Sequence, residues 1–68
     1  METSARNQLR GTVTSVNIGA VMAEVVVEVN GAQVVAAITK DSAERLGLEA
    51  GKAVTAIIKA TDVMIGVG

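Results

Sequence analysis

Two short polar segments of the chain carry the side chains best suited to binding chemistry. The first, Ser4-Ala5-Arg6-Asn7-Gln8, offers hydroxyl, guanidinium and amide donors just before the first predicted strand. The second, Lys59-Ala60-Thr61-Asp62, offers an ammonium and a hydroxyl at a predicted bend between two strands. Arg and Lys neutralise the charge of an anion, while hydroxyl and backbone N–H groups donate to its oxygens. This donor set suits a tetrahedral oxyanion. The alternative interpretation is a solvated N-terminal arm and an ordinary turn.

Catalytic and metal-binding chemistry is poorly represented in the composition. The chain has no His and no Cys, so it lacks the commonest general base, the thiol nucleophile, the usual zinc ligands and any disulfide. None of the seven carboxylates stands in a recognisable catalytic spacing. Asp41 and Glu44 are explained as residues at the start of a helix, where they offset its positive dipole end. We therefore predict that the protein is not an enzyme and holds no cofactor and no metal cation.

The elements that must position the polar segments are predicted to be short strands separated by glycine turns. The pattern predicts strands over residues 9–18, 21–29, 33–38, 54–59 and 63–67. In the second of these, five residues share one apolar face by the period of two: Val21, Ala23, Val25, Val27 and Val29. Asn30-Gly31 predicts a hairpin into the third strand. The apolar run over residues 34–38 predicts that both faces of the third strand are covered.

A change of periodicity over residues 39–46 predicts one short helix between the third and fourth strands. Thr39 or Asp41 is suited to cap its start, and residues 41–44 resemble a capping box. Gly47 suits the left-handed position after its end, with Leu48 folding back behind it. The fold predicted from the whole pattern is all-β, a small five-stranded OB-like barrel with one short helix, in a single domain over residues 1–68.

The size of the chain favours an oligomer. It has 68 residues, of which 50% are hydrophobic and none is aromatic. Small aliphatic side chains bury little area each, and domains of this size usually need disulfides, a metal or oligomerisation for stability. Since the composition excludes the first two, we expect a homo-oligomer.

Charge and hydropathy limit the other partners. The formal net charge is −1 and the six Lys and Arg are scattered, which is unlike a nucleic-acid-binding surface. No apolar stretch reaches the roughly 18 residues of a membrane span. The N-terminus has no cationic segment followed by an apolar one, so we expect no signal peptide and a cytoplasmic protein.

Three collinear groups of residues resemble the molbindin (Mop) domain, which also occurs in molybdate-responsive regulators and transporter ATPases. The first is Ser4-Ala5-Arg6-Asn7-Gln8-Leu9 followed by Gly11. The second is Val35-Ala36-Ala37-Ile38-Thr39, then Ser42, Leu46-Gly47-Leu48 and Gly51. The third is Thr55-Ala56-Ile57-Ile58-Lys59-Ala60-Thr61-Asp62-Val63. Together they cover almost the whole chain, and its short length resembles a stand-alone molbindin.

The resemblance implies a five-stranded OB-like barrel and a cyclic homohexamer, a trimer of dimers, that holds molybdate or tungstate between subunits. Its main oxyanion site carries over onto Ser4, Ala5, Arg6, Lys59 and Ala60, with Thr61 beside them. Some members have Ser where this chain has Ala60, so a hydroxyl donor is missing there. A second kind of site carries over onto Gly19, Ala20, Val21, Thr39, Lys40 and Ser42. The implied role is intracellular molybdenum storage, buffering or homeostasis.

Two alternatives belong to other classes of function. A nucleic-acid-binding OB domain uses stacking aromatic residues and a basic groove, and this chain has neither. A purely structural assembly module would use the polar segments only to end its strands. A gel shift with single-stranded oligonucleotides tests the first alternative, and calorimetry with oxyanions tests the second.

Overall fold

A computed structural model describes residues 1–68 and contains one antiparallel sheet with one short α-helix. The strands are β1 (Asn7–Ile18), β2 (Met22–Val29), β3 (Ala32–Thr39) and β4 (Ala53–Ile58), in the spatial order β3-β2-β1-β4. Helix α1 (Lys40–Arg45) lies between β3 and β4, and a single 3-10 turn (Ala60–Asp62) follows β4. The all-β class and the position of the helix are confirmed. Neither helical segment is long and apolar enough to cross a membrane.

Strand β1 lies between β2 and β4 and changes partner halfway along its length. Residues Asn7–Thr12 pair with β4, and residues Thr12–Ile18 pair with β2. The register shifts between Val13 and Ser15, so Thr14 is an extra residue on β1. Such a bulge bends a strand and increases its twist. At this bend the Val13 N–H donates to the Lys52 carbonyl (2.9 Å) and the Val13 carbonyl accepts from the Gly51 N–H (2.8 Å).

The core lies on the inner face of the sheet and consists of small aliphatic side chains. Val13 packs with Val25, Val27 and Val29, and all four are buried. The predicted alternation of β2 is therefore confirmed from residue 23 to residue 29. The prediction was wrong for Val21, which is exposed. The β2–β3 ladder ends at the pair of Met22 and Thr39, so Val21 lies in the turn before the strand.

The hairpin and the helix ends follow the local sequence signals. Asn30 and Gly31 both have positive φ, 48° and 84°, as a two-residue hairpin turn requires. Thr39 caps α1, because its Oγ1 accepts from the Ser42 N–H at 3.1 Å. Asp41 lies in the first turn instead, so the capping box over residues 41–44 was wrong. Gly47 has φ 63° and ends the helix as predicted.

The fifth predicted strand, residues 63–67, is absent. These residues have no strand conformation, and Met64, Ile65 and Val67 are 92%, 86% and 98% exposed. A strand requires a partner edge for its backbone N–H and C=O groups, and residues 63–67 pair with none of the four strands. We call residues 63–67 the apolar tail. The single chain thus contains four strands, and the predicted five strands and closed barrel are not confirmed.

An apolar groove lies open between β3 and β4. It has a volume of about 440 Å³ and aliphatic walls that include Val34, Ile38, Leu48 and Ile57. The outer face of β3 is also uncovered, since Val35 is 60% exposed. The prediction that both faces of β3 are covered therefore does not hold within one chain.

Candidate anion-binding site

The pairing of β1 with β4 brings the two polar segments together. Asn7, the first residue of β1, is the register partner of Ile58, the last residue of β4. The Asn7 Nδ2 also donates to the Ile58 carbonyl at 3.2 Å. Since the strands are antiparallel, the residues just before β1 and just after β4 leave the sheet at the same end. Residues 4–6 therefore meet residues 59–61, although more than fifty positions separate them in the chain.

A single open cleft of about 560 Å³, which we call the polar cleft, forms where the two segments meet. Its lining consists of Thr3, Ser4, Ala5, Arg6, Ile57, Lys59, Ala60, Thr61 and Asp62. All six residues predicted for the main site are among them. Thr61 lines the cleft beside Ala60, so a hydroxyl-bearing residue is present next to the position that lacks one.

The N-terminal wall of the cleft is held by short-range hydrogen bonds. The Ala5 N–H donates to Thr3 Oγ1 at 3.2 Å, and the Gln8 Nε2 donates to the Ala5 carbonyl at 2.9 Å. The Ala5 N–H therefore has an intramolecular acceptor in this structure. An anion that takes a bond from this N–H must replace the Thr3 hydroxyl, and both groups are exposed enough to exchange partners.

The C-terminal wall is the 3-10 turn. The Asp62 N–H donates to the Lys59 carbonyl at 2.8 Å, and the Val63 N–H donates to the Ala60 carbonyl at 3.3 Å. The first N–H groups of a helical turn have no acceptor within the turn and remain available as donors. Lys59, which precedes this turn, and Thr61, which lies in it, both line the cleft.

The charges of the cleft favour an anion, but by a small margin. Arg6 and Lys59 supply two positive charges and Asp62 supplies one negative charge, which leaves a formal excess of one positive charge. A cleft with hydroxyl donors and this excess can bind an oxyanion through charge-assisted hydrogen bonds.

Sequence reasoning missed three residues that line the cleft, namely Thr3, Ile57 and Asp62. Asp62 belongs to the segment that suggested the site, but its carboxylate has no proton to donate to an anion. Ile57 gave no signal, because its place beside the cleft depends on the register of β4 against β1, in which it pairs with Gln8.

The six residues predicted for a second site are close together but are explained largely by local structure. The Lys40 N–H donates to the Val21 carbonyl at 2.8 Å, so the segments 19–21 and 39–42 adjoin. Thr39 Oγ1 and Ser42 Oγ hydrogen-bond to each other at 2.8 Å while Thr39 caps α1. A shallow depression beside them, next to Asn17 and Glu24, includes only Gly19 of the six. The structure therefore does not gather this set, which includes Ala20, into one cleft.

Comparison with known proteins agrees with the fold. The model of the TOBE domain matches residues 3–65, and the chain belongs to this family. Within it, the chain resembles short proteins of about its own length. It is 53% identical over 66 residues to molybdenum-pterin-binding protein 3 of Clostridium pasteurianum, covering 96% of this chain and 97% of the relative. It is 46% identical over 68 residues to a probable molybdenum-pterin-binding protein of Haemophilus influenzae, covering 98% and 99%.

A solved structure of a molybdate-binding protein has the same fold as this chain. The molybdate-binding protein from Sporomusa ovata superimposes with a TM-score of 0.93 at 43% identity, covering 98% of this chain and all of that one. The resemblance to molbindins, first seen in the three collinear groups of residues, is thereby confirmed.

Proposed function

We propose that this protein binds molybdate in the polar cleft and acts as an oxyanion-binding protein rather than an enzyme. The observation that carries the proposal is the meeting of Arg6 and Lys59 in one cleft, together with Ser4 and Thr61. The relatives named for molybdenum or molybdate binding support the choice of anion.

Each side of the cleft contributes a different part of the binding. Lys59 and Arg6 neutralise the dianion, and the Ser4 and Thr61 hydroxyls donate to its oxygens. The N–H groups of Ala5, Arg6 and Ala60 are further donors, with the Ala5 N–H exchanging Thr3 Oγ1 for an anion oxygen. Tungstate has the same charge and nearly the same size as molybdate and binds in the same way. Sulfate is smaller, and its contacts to the same donors are stretched.

The protein acts as a homo-oligomer, a hexamer arranged as a trimer of dimers, with the oxyanion held between subunits. Exposed apolar surface supports this part of the proposal. Much aliphatic surface is exposed to water in the single chain: the apolar tail, the open groove between β3 and β4, and Val35. A small domain is usually stable only when such surface is buried, here against other subunits. The cleft is also open on one side in the single chain, where a neighbouring subunit would complete it.

The biological role that fits these properties is storage, buffering or homeostasis of molybdenum in the cytoplasm, by one domain over residues 1–68. The residues Gly19, Ala20, Val21, Thr39, Lys40 and Ser42 are a second oxyanion site of the assembly, formed only when subunits meet. No nucleic acid, membrane or organic cofactor takes part.

Isothermal titration calorimetry with molybdate, tungstate and sulfate, alongside the native mass by light scattering, tests the proposal. We expect heat of binding for molybdate and tungstate, at least tenfold weaker binding of sulfate, and an oligomeric mass at micromolar concentration. An oligomer that binds none of the three anions would support the purely structural assembly module instead. A monomeric mass would contradict the subunit-interface arrangement.

A further inference from the structure

The turn of the β2–β3 hairpin presents two polar groups without partners. Asn30 and Gly31 are exposed, and both have positive φ. The last strand pair before the turn is Val29 with Ala32, so the backbone N–H of Gly31 lies outside the ladder and donates to no acceptor in the structure. None of the side-chain hydrogen bonds involves Asn30. The Asn30 amide and the Gly31 nitrogen are therefore both free to react.

These two groups are the reactants of intramolecular deamidation, and asparagine is among the residues that proteins lose chemically on heating. When base removes the amide proton of Gly31, its nitrogen attacks the side-chain carbonyl carbon, Cγ, of Asn30. The new N–Cγ bond closes a succinimide ring, and the side-chain nitrogen leaves as ammonia. Water then opens the ring at either of its two carbonyl carbons, which gives aspartate or isoaspartate. One water is consumed and one ammonia is released, without any oxidant or reductant.

The surroundings of Asn30 favour this reaction over the same reaction at the other two asparagines, Asn7 and Asn17. Gly31 has no Cβ to crowd the attacking nitrogen, and a Cβ built there meets nothing within 4 Å, so water reaches the turn. Asn7 and Asn17 lie within β1, where each is followed by a larger side chain and is paired with a neighbouring strand. A backbone held in a ladder is less free to rotate into a ring than the backbone of an exposed turn.

The two products have different effects on the hairpin. Asp-Gly suits the same turn as Asn-Gly, so aspartate at position 30 adds a negative charge and keeps the turn. Isoaspartate instead routes the backbone through the side chain, which adds one carbon between Val29 and Ala32. A two-residue turn no longer fits the register of that last strand pair. Val29, which packs in the buried core, is then the first core residue to lose its place.

We propose that Asn30 is a self-modification site, at which deamidation through the Gly31 nitrogen produces aspartate and isoaspartate, and that isoaspartate loosens the end of the β2–β3 hairpin. The reaction needs only water and base, so it advances with the age of the chain and faster at alkaline pH. Neither residue lines the polar cleft, so the inference does not depend on anion binding.

The test incubates the folded wild type at neutral and at mildly alkaline pH, and the same chain in urea gives the rate without the fold. Peptide mass spectrometry detects the gain of nearly one dalton at each asparagine, and electron-based fragmentation distinguishes isoaspartate from aspartate. Ion-exchange chromatography separates the products for thermal unfolding. Asn30→Gly is the matched control, since Gly-Gly also suits this turn and has no side-chain amide. Asn30→Asp gives the stability of the aspartate product.

We expect conversion at residue 30 at least tenfold faster than at Asn7 or Asn17, and faster at alkaline pH. Asn30→Gly should show no conversion at position 30. Asn30→Asp should melt close to the wild type, and the isoaspartate fraction should melt lower. A folded wild type that stays intact at residue 30 while the chain in urea converts would overturn the proposal, because the turn would then protect Asn30. Equal rates at the three asparagines would overturn it as well. An isoaspartate fraction that melts like the wild type would overturn the loosening of the hairpin.

Discussion

The side chain of Asn7 is bonded to the backbone of Ile58, 51 positions later in the chain, through Nδ2 and the carbonyl oxygen at 3.2 Å. The two residues are also partners in the β1–β4 ladder, at its last pair. Beyond this pair the strands separate into the two walls of the polar cleft. The Asn7–Ile58 contact therefore sets the spacing between Arg6 on one wall and Lys59 on the other.

Replacing Asn7 by Ala should loosen the base of the cleft. Loss of one partly buried hydrogen bond should lower the free energy of unfolding by about 0.5–1.5 kcal/mol. Because the walls then move independently, molybdate affinity should fall several-fold although residue 7 is not a predicted anion ligand. Urea unfolding and calorimetry measure the two effects. Thr14→Ala is the matched control, since the Thr14 Oγ1 donates to the Val26 carbonyl at 3.2 Å between β1 and β2, and Thr14 does not line the cleft. If both variants bind molybdate equally well, the spacing role of Asn7 is wrong.

Lys59→Ala should weaken molybdate binding ten- to a hundredfold, because it removes a charge-assisted bond worth roughly 1.5–3 kcal/mol. It should leave the melting temperature of the anion-free protein nearly unchanged while reducing the rise on adding molybdate. Lys52→Ala is the control. The Lys52 Nζ donates to the carbonyls of Leu46 and Gly47 at the end of α1, so this variant should melt lower but keep the full molybdate-induced rise. A full rise for Lys59→Ala would show that Lys59 is not a ligand.

Asp62→Asn should strengthen anion binding. The substitution keeps the shape of the side chain and removes the one negative charge that lines the cleft, so the formal excess of positive charge doubles. We expect a several-fold gain in molybdate affinity that shrinks as salt is raised, since exposed charges are screened. Calorimetry at low and high ionic strength measures it. Unchanged or weaker binding would mean that the Asp62 carboxylate points away from the anion or supports the turn.

Gly11→Ala should destabilise the fold. A Cβ at position 11 would meet the Glu28 carbonyl oxygen and lie 2.8 Å from methyl groups of Val27 and Val29, where β1 passes from β4 to β2. Overpacking of this kind costs about 1–3 kcal/mol, and the closest atom is backbone that cannot rotate away. Thermal unfolding measures the loss. Gly66→Ala, with nothing within 4 Å of an added Cβ, should unfold close to the wild type. Equal melting temperatures for Gly11→Ala and the wild type would show that β1 does not pass as close to β2 at residue 11 as the structure indicates.

Thr39→Ala separates the two roles suggested for Thr39. Loss of the cap on α1 should cost about 0.5–2 kcal/mol of stability, and Thr39→Ser should restore most of it because serine also accepts from the Ser42 N–H. The molybdate stoichiometry from elemental analysis reports on the second site. A lower stoichiometry in Thr39→Ala, restored in Thr39→Ser, supports an anion-binding role. An unchanged stoichiometry with lower stability leaves capping as its only role.

The sequence determined the elements whose signals are local. The alternation of apolar residues predicted the inner face of β2, and Asn30 and Gly31 predicted the hairpin. Thr39 and Gly47 predicted the ends of α1. These signals are local because turns and caps depend on backbone conformations that particular residues favour over a few positions. Composition showed that the usual catalytic side chains, His and Cys, are missing, and the resemblance of three collinear groups of residues indicated the family.

Only the tertiary structure decided which distant residues meet and which segments find a partner. The register of β1 against β4 places Arg6 beside Lys59 and brings Ile57 and Asp62 into the same cleft, and no local pattern encodes that register. Residues 63–67 have the pattern of a strand but form none within one chain. The physical reason is that a strand is stabilised by hydrogen bonds to a neighbouring edge, and residues 63–67 pair with neither edge strand of their own sheet.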